Sequence, residues 1–170
     1  MKMHTSTAAA LAASVLMAGA ATANGNDNEK SPRCKRFEAQ VIDQRRIEGC
    51  TTTFCTAGTI DGNQGLTGTI ESTFDSFAAG PALTPEPTRT VSFSLISTFT
   101  TPQGTLTTRE TGISSTAALN PSRRQFAGFG EITGGTGRYA GATGWLQFAG
   151  HARNGQTITD TMVGEICTPR

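Results

Sequence analysis

Histidine is almost missing from this chain. Of its two histidines, His4 lies in the N-terminal segment and only His151 falls in the body of the sequence. A metal centre built from several imidazoles is therefore excluded, and so is a histidine relay. A Ser–His–acid triad would have to use His151, and no G-x-S-x-G elbow accompanies it. His151 reads instead as a partly exposed residue at the end of a strand. Charge is scarce as well: 16% of the residues are charged, with 14 Lys and Arg against 13 Asp and Glu. Nucleic acid needs a basic face that neutralises phosphates, and no such stripe exists. Arg45-Arg46 and Arg123-Arg124 are short pairs that read as solvated loop charge. Good helix formers are thin on the ground, while 20 glycines recur too often for long helices. Beyond Ala20 no stretch is long and apolar enough to span a bilayer, so no membrane insertion is expected.

What is present begins with a leader. Lys2 supplies a positive start, Ala8 to Ala20 are small and apolar, and Ala21-Thr22-Ala23 is an A-x-A cleavage signal. This is the layout of a secretory signal peptide over residues 1–23, cut after Ala23. The expected location is secreted or periplasmic. Residues 24–33 are polar and read as a flexible lead-in. Residues 34–170 then form one domain, long enough for a single real core. Without Lys2 the mature chain has 13 basic against 13 acidic residues, a net charge near zero.

All four cysteines, Cys34, Cys50, Cys55 and Cys167, fall in the exported part. An even count in an oxidising compartment reads as two disulfides, for which three pairings exist. The favoured pairing closes Cys50 on Cys55 as a local clasp and joins Cys34 to Cys167 at the two ends of the domain. A zinc site made from these thiols is disfavoured by export and by the lack of a second C-x-x-C-like pair.

The remaining chain is rich in Thr, Ser, Gly, Phe and Val, which suit pleated, half-buried strands. Several segments alternate with period two. Phe37, Ala39 and Val41 share one face. Leu66, Ile70 and Phe74 share another, with Thr67, Thr69, Glu71 and Thr73 opposite. Val91, Phe93, Leu95 and Phe99 line one side of a strand from Thr90 to Thr100. The turn Thr101-Pro102-Gln103-Gly104 joins it to a strand from Thr105 to Ile113. Arg124 to Thr133, Gly144 to Ala152 and Gln156 to Cys167 complete the set, with Asn154-Gly155 as a tight turn. Gly80 to Pro87 reads as a Pro-rich surface loop. Seven or eight short strands specify an all-β barrel or sandwich, and the strand glycines Gly128, Gly130, Gly144, Gly150 and Gly164 favour a tightly curled barrel.

The densest motif is Ile132-Thr133-Gly134-Gly135-Thr136-Gly137-Arg138-Tyr139-Ala140-Gly141-Ala142-Thr143-Gly144. Part of it fits G-x-G-x-x-A, and Asp160 follows at a distance a dinucleotide fold would want. A phosphate-binding helix cannot open among Gly141, Gly144, Gly150 and Gly155, so no nucleotide cofactor is expected. The motif resembles instead the G-G-T-G-x-F-x-x-A-x-G stretch of plant dirigent proteins and its equivalent in allene oxide cyclases. The stretch Gly49-Cys50 to Cys55-Thr56-Ala57-Gly58-Thr59, followed by Gly65-Leu66-Thr67-Gly68-Thr69, looks like the opening of exported bacterial relatives. The resemblance implies a single antiparallel eight-stranded, calycin-like β-barrel with an apolar lumen open at one end. It also implies chemistry of a kind: cyclases that close a polyunsaturated substrate, or guides that steer phenolic radical coupling. Family members often form dimers or trimers, so a homo-oligomer is possible. In dirigent proteins an Arg often precedes the last glycine of the motif; Thr143 stands there in this chain.

With no metal and no cofactor expected, an isomerase would rely on a shaped cavity and one or two acids. The expected partner is a small apolar ligand or substrate. The resemblance tips the reading towards a cyclase or isomerase, and the alternative is a non-catalytic binding or structural barrel. Glu110 shares a strand face with Leu106 and Thr108 and is the first acid–base candidate; its bland alternative is a surface acid paired with Arg109. Glu71 is the second candidate, though its Thr-rich face points it outward. Tyr139 and Trp145 flank the glycine stretch and are candidates for stacking on a ligand at the barrel mouth. Phe93, Phe126 and Phe148 are expected to fill the core or line the lumen.

Overall fold

A computed structural model describes residues 31–82, 89–115, 123–154 and 156–170. The leader and its cleavage site therefore lie outside the described residues. Eight strands follow one another: β1 (Arg33–Arg46), β2 (Phe54–Gly62), β3 (Gly68–Ala82), β4 (Arg89–Thr101), β5 (Gly104–Ser115), β6 (Arg123–Gly135), β7 (Thr143–Arg153) and β8 (Thr157–Thr168). Each pairs antiparallel with its neighbours in sequence, and β8 returns to β1, so the sheet is a closed barrel. Closure removes the two sheet edges that would otherwise expose unpaired backbone groups.

Period-two alternation decides what faces inward. In β1 the buried set is Phe37, Ala39, Val41 and Asp43, with exposed residues between them. In β4 Phe93, Leu95, Ser97 and Phe99 face the same interior. A bulge between Phe74 and Ser76 shifts the register of β3 against β4. The shift lets Phe77 join Phe74 on the lumen side, where the two rings stack with centroids 5.3 Å apart. The strand β3 runs on through Pro81 to Ala82, which pairs with Arg89. The Pro-rich loop expected from Gly80 thus starts later, and its residues 83–88 lie outside the described residues.

The two ends of the barrel differ. Because the strands alternate in direction, the β2–β3, β4–β5 and β6–β7 connections meet at one end. There a 3-10 turn, Gly137–Tyr139, folds back over the lumen. Thr136 donates its N–H to the Thr105 carbonyl and Arg138 donates its N–H to the Gln103 carbonyl, both at 2.9 Å, so the turn is stitched to the β4–β5 hairpin. Gly137 and Gly141, at φ of 58° and 67°, bracket the turn in the left-handed region that glycine adopts at least cost. Tyr139, Leu66, Phe99, Leu106, Ile132, Leu146 and Ile166 are all buried here and fill this half of the interior.

Two disulfides are present. Cys34 and Cys167 are directly opposed residues of β1 and β8, and their bond spans a sequence separation of 133. Cys50 and Cys55 close the β1–β2 connection at the other end. Two such bonds fit an oxidising compartment.

Candidate functional site

Among the described residues, nothing closes the end opposite the 3-10 turn. A cavity of about 240 Å³ runs inward from it, lined by residues of all eight strands. Its upper wall is aromatic. Phe54 meets Phe74 edge-on at 5.0 Å, Phe74 meets Phe93 at 5.6 Å, and Phe148 touches both Phe93 and Phe126 at 6.3 and 6.2 Å. Phe93, Phe126 and Phe148 all line the cavity, where the alternation of β4, β6 and β7 puts them.

Below the rings sit three carboxyl groups. Asp43, Glu110 and Asp160 are 4%, 3% and 7% exposed, and all three line the cavity. Each is matched by a glycine directly across the ladder: Asp43 by Gly58, Glu110 by Gly130 and Asp160 by Gly150. A β-carbon at any of these glycines would lie 2.5 Å from an atom of the facing acid. The glycines are therefore what makes room for the acids, a steric role distinct from turn-making.

The acids are held differently. Thr108 donates its hydroxyl to Oε1 of Glu110 at 2.5 Å. Ser97, which also lines the cavity, shares a hydrogen bond of 2.9 Å with Ser72. Thr56 donates to Oδ2 of Asp43 at 2.9 Å. Oδ1 of Asp43 and Oδ1 of Asp160 are buried with no hydrogen-bond partner. Burial disfavours the charged form, so all three acids are pushed up. Burial raises Asp43 to about 6, against the pull of Thr56, with the Glu110 charge adding to the rise. Burial and then the charges of Asp43 and Glu110 raise Asp160 to about 8. Glu110 is raised by burial and held back by Thr108 and Ser97. Near neutral pH the site thus contains both a carboxylate and a carboxylic acid, the pairing that proton transfer requires.

The other sequence candidates go elsewhere. Glu71 stands on the outer face of β3, 3.5 Å from Arg46, because the Thr-rich face of that strand is the solvent face. Tyr139 is buried at the closed end, where its hydroxyl donates to the Gln64 carbonyl at 3.3 Å. Trp145 is 48% exposed on the outside of β7, opposite Glu131 and Glu165. Neither ring reaches the mouth, since the glycine stretch turns the chain at the opposite end. Arg109 does not partner Glu110; it points outward and binds Asp75 at 2.9 Å. The arginine pairs lie on strands and not in loops. Arg45 packs over the Phe54 ring at 5.5 Å, and Arg124 lines the cavity mouth. Thr143 is exposed at the start of β7, away from the cavity.

The sequence did not mark Asp43 at all, and it marked Asp160 only by its distance from the glycine motif, not as a lumen acid. Asp43 simply continues the inward face of Phe37, Ala39 and Val41, and Asp160 falls between Ile158 and Met162 on the inward face of β8. Extending the period by one step at each strand would have found both.

No family model matches the chain, and no curated protein matches it. Among solved structures, the chain is similar to a pterocarpan synthase dirigent protein, with 9% identity over 85% of this chain and 90% of that one, at a TM-score of 0.33.

Proposed function

We propose that this barrel binds a compact apolar molecule in its lumen and isomerises or cyclises it by proton transfer at Glu110. The observation that carries this reading is the setting of Glu110: a carboxyl 3% exposed, held by the Thr108 hydroxyl, and lining a cavity walled by phenylalanines. Such a group exchanges a proton with a carbon acid far more readily than a solvated glutamate, whose proton affinity is too low. In an isomerisation the carboxylate removes a proton from one carbon, and a carboxylic acid returns one at another. Atoms balance within the substrate. The phenylalanines would fold the substrate into one reactive shape and exclude water. At about 240 Å³ the cavity lies below the range usual for drug-sized ligands, roughly 300–1,000 Å³, which argues for a small substrate. Export through the leader, with residence in a periplasm or outside the cell, belongs to the same proposal and agrees with the two disulfides.

The test begins with native mass spectrometry of the protein purified from its own host, followed by identification of whatever is bound. The extracted ligand is then incubated with protein in D2O. Wild-type protein should load deuterium onto carbon, or convert the ligand to an isomer, while Glu110→Gln binds it and leaves it unlabelled. Binding without labelling by wild type would make the barrel a carrier and end the catalytic reading.

A further inference from the structure

Proton transfer at Glu110 leaves two of the lumen acids unexplained. Asp43 and Asp160 project from the same inward face of the β1–β8 pair: Asp43 opposes Ile158, while Asp160 opposes Val41. They are therefore diagonal neighbours, with backbones about 7–8 Å apart. Each is more than nine-tenths buried, each lines the cavity, and Oδ1 of each is buried with no hydrogen-bond partner. The local donors are already engaged. Thr56 is committed to Asp43, Thr108 to Glu110, and Ser72 and Ser97 to each other. Among the described residues that line the cavity, Arg124 at the mouth is the one basic side chain. The floor of the lumen thus has open acceptors and negative charge, and its walls are aromatic faces, which attract cations.

That combination discriminates between ligand classes. A carboxylate ligand would meet the Asp43 carboxylate and be repelled. An alcohol or phenol brings a single donor for two open oxygens. An ammonium group brings several donors and a positive charge, and answers both oxygens at once. We propose that the lumen takes a compact lipophilic amine, with its protonated nitrogen between Asp43 and Asp160 and its apolar body against the phenylalanines. This assignment rests on the reading of the lumen as a small-molecule site and names the substrate class for it. Glu110, on the far wall, is left for the proton transfer.

A pH signature accompanies the geometry. The ionisable groups facing Asp43 and Asp160 are each other, Glu110 from β5 and Arg124 from β6; the described lining residues of β2, β3, β4 and β7 are apolar or hydroxyl-bearing. In the empty barrel Asp160, raised to about 8, is largely protonated at pH 7, and Asp43, near 6, is largely ionised. A bound ammonium ion favours the ionised forms, so binding at pH 7 releases protons, and affinity climbs from pH 5 to pH 8.

The experiment is isothermal titration of the purified protein with 4-phenylbutylamine and with 4-phenyl-1-butanol, probes of one shape that differ in charge. The amine should bind about tenfold tighter or better at pH 8, and its advantage should shrink as the pH falls to 5. Titration in buffers of different ionisation enthalpy should show net proton release for the amine alone. In Asp43→Asn/Asp160→Asn, checked for folding by circular dichroism, the two probes should bind alike. Equal affinities for amine and alcohol in the wild type would overturn the amine assignment and leave the lumen reading standing. A preference that survives in the double variant would also overturn it, by placing the ammonium group elsewhere. If neither probe enters the barrel, the small-molecule reading falls along with the amine.

Discussion

Three buried acids should make this barrel least stable where most proteins are comfortable. A group whose folded pKa is raised holds its proton longer in the folded state than in the unfolded one. Its contribution to stability is complete below the unfolded value and is lost as the pH rises through the folded value. Asp43 rises from 3.8 to about 6 and Asp160 from 3.8 to about 8, so both lose stability as the pH rises. The window from pH 5 to pH 9 isolates them, because surface carboxylates are ionised in both states there. Across it Asp43, near 6, accounts for about one pH unit of proton imbalance and Asp160, near 8, for about three; at 1.36 kcal/mol per unit the fall is about 5 kcal/mol. For a domain of this size that corresponds to a Tm lower by on the order of 15 °C at pH 9 than at pH 5. Glu110, raised as well, adds to the fall. His151 titrates in the same window, but desolvation and the charges of Arg123 and Arg153 lower its pKa. It therefore loses stability as the pH falls and cannot produce the same slope. The assay is thermal unfolding by circular dichroism or calorimetry at constant ionic strength. Asp160→Asn should remove most of the slope and raise Tm at pH 9. A wild-type Tm that is flat, or that rises between pH 5 and pH 9, would refute the burial argument for these acids.

Other consequences are simpler to state. Cys34→Ser with Cys167→Ser reopens a link spanning 133 residues, and the chain-entropy relation gives a loss of about 5 kcal/mol, read as a lower midpoint in guanidinium. An unchanged midpoint would show that the β1–β8 pairing needs no covalent closure. Tyr139→Phe should cost about 1 kcal/mol for the hydrogen bond to Gln64, and Tyr139→Ala about 3–5 kcal/mol for the emptied closed end, both measured in urea. Equal costs for the two would mean that the ring does not plug the barrel. In Gly130→Ala the new β-carbon would sit 2.5 Å from Cγ of Glu110, so deuterium labelling should fall together with stability; full labelling would detach Glu110 from the chemistry.

The fold was legible in the sequence wherever one strand face was consistently apolar. Phe37, Ala39 and Val41, or Val91, Phe93, Leu95 and Phe99, announce their strands and their inward faces without help. The strand β2 carries no such signal. Its inward residues, Phe54, Thr56, Gly58, Ile60 and Gly62, mix sizes and polarity because the strand passes from the cavity wall at Phe54 and Thr56, past Asp43 at Gly58, into the packed core at Ile60. Glu110 was legible because Leu106 and Thr108 fix its face. Tyr139 and Trp145 were legible only as neighbours of a glycine turn, which does not say which end of the barrel the turn covers. Alternation from Leu146 and Phe148 places Trp145 outside, opposite Glu131 and Glu165, whatever the turn does. Long-range register is what local pattern cannot supply, and the diagonal placement of Asp43 and Asp160 is a product of the β1–β8 register alone.

The contrast between the two halves of the lumen bears on why the acids are there at all. At the closed end the barrel fills its interior with Tyr139, Phe99, Leu106, Ile132 and Leu146, so this fold can build a dry, fully packed core. Half a strand length away the same eight strands supply three carboxyl groups and, across from each, a glycine that leaves space unfilled. Apolar side chains at those six positions would extend the packed core and remove the desolvation cost of the acids. A cavity kept open against that gradient, lined by acids whose proton affinities burial has raised, is where the proposed binding and proton transfer would offset the stability given up. The expected pH-dependent loss of stability and the proposed affinity for an ammonium group then have one cause. Both report the free energy of ionising Asp43 and Asp160 away from water, and a bound cation that strengthens with pH should flatten the stability profile by the same amount that it gains in affinity.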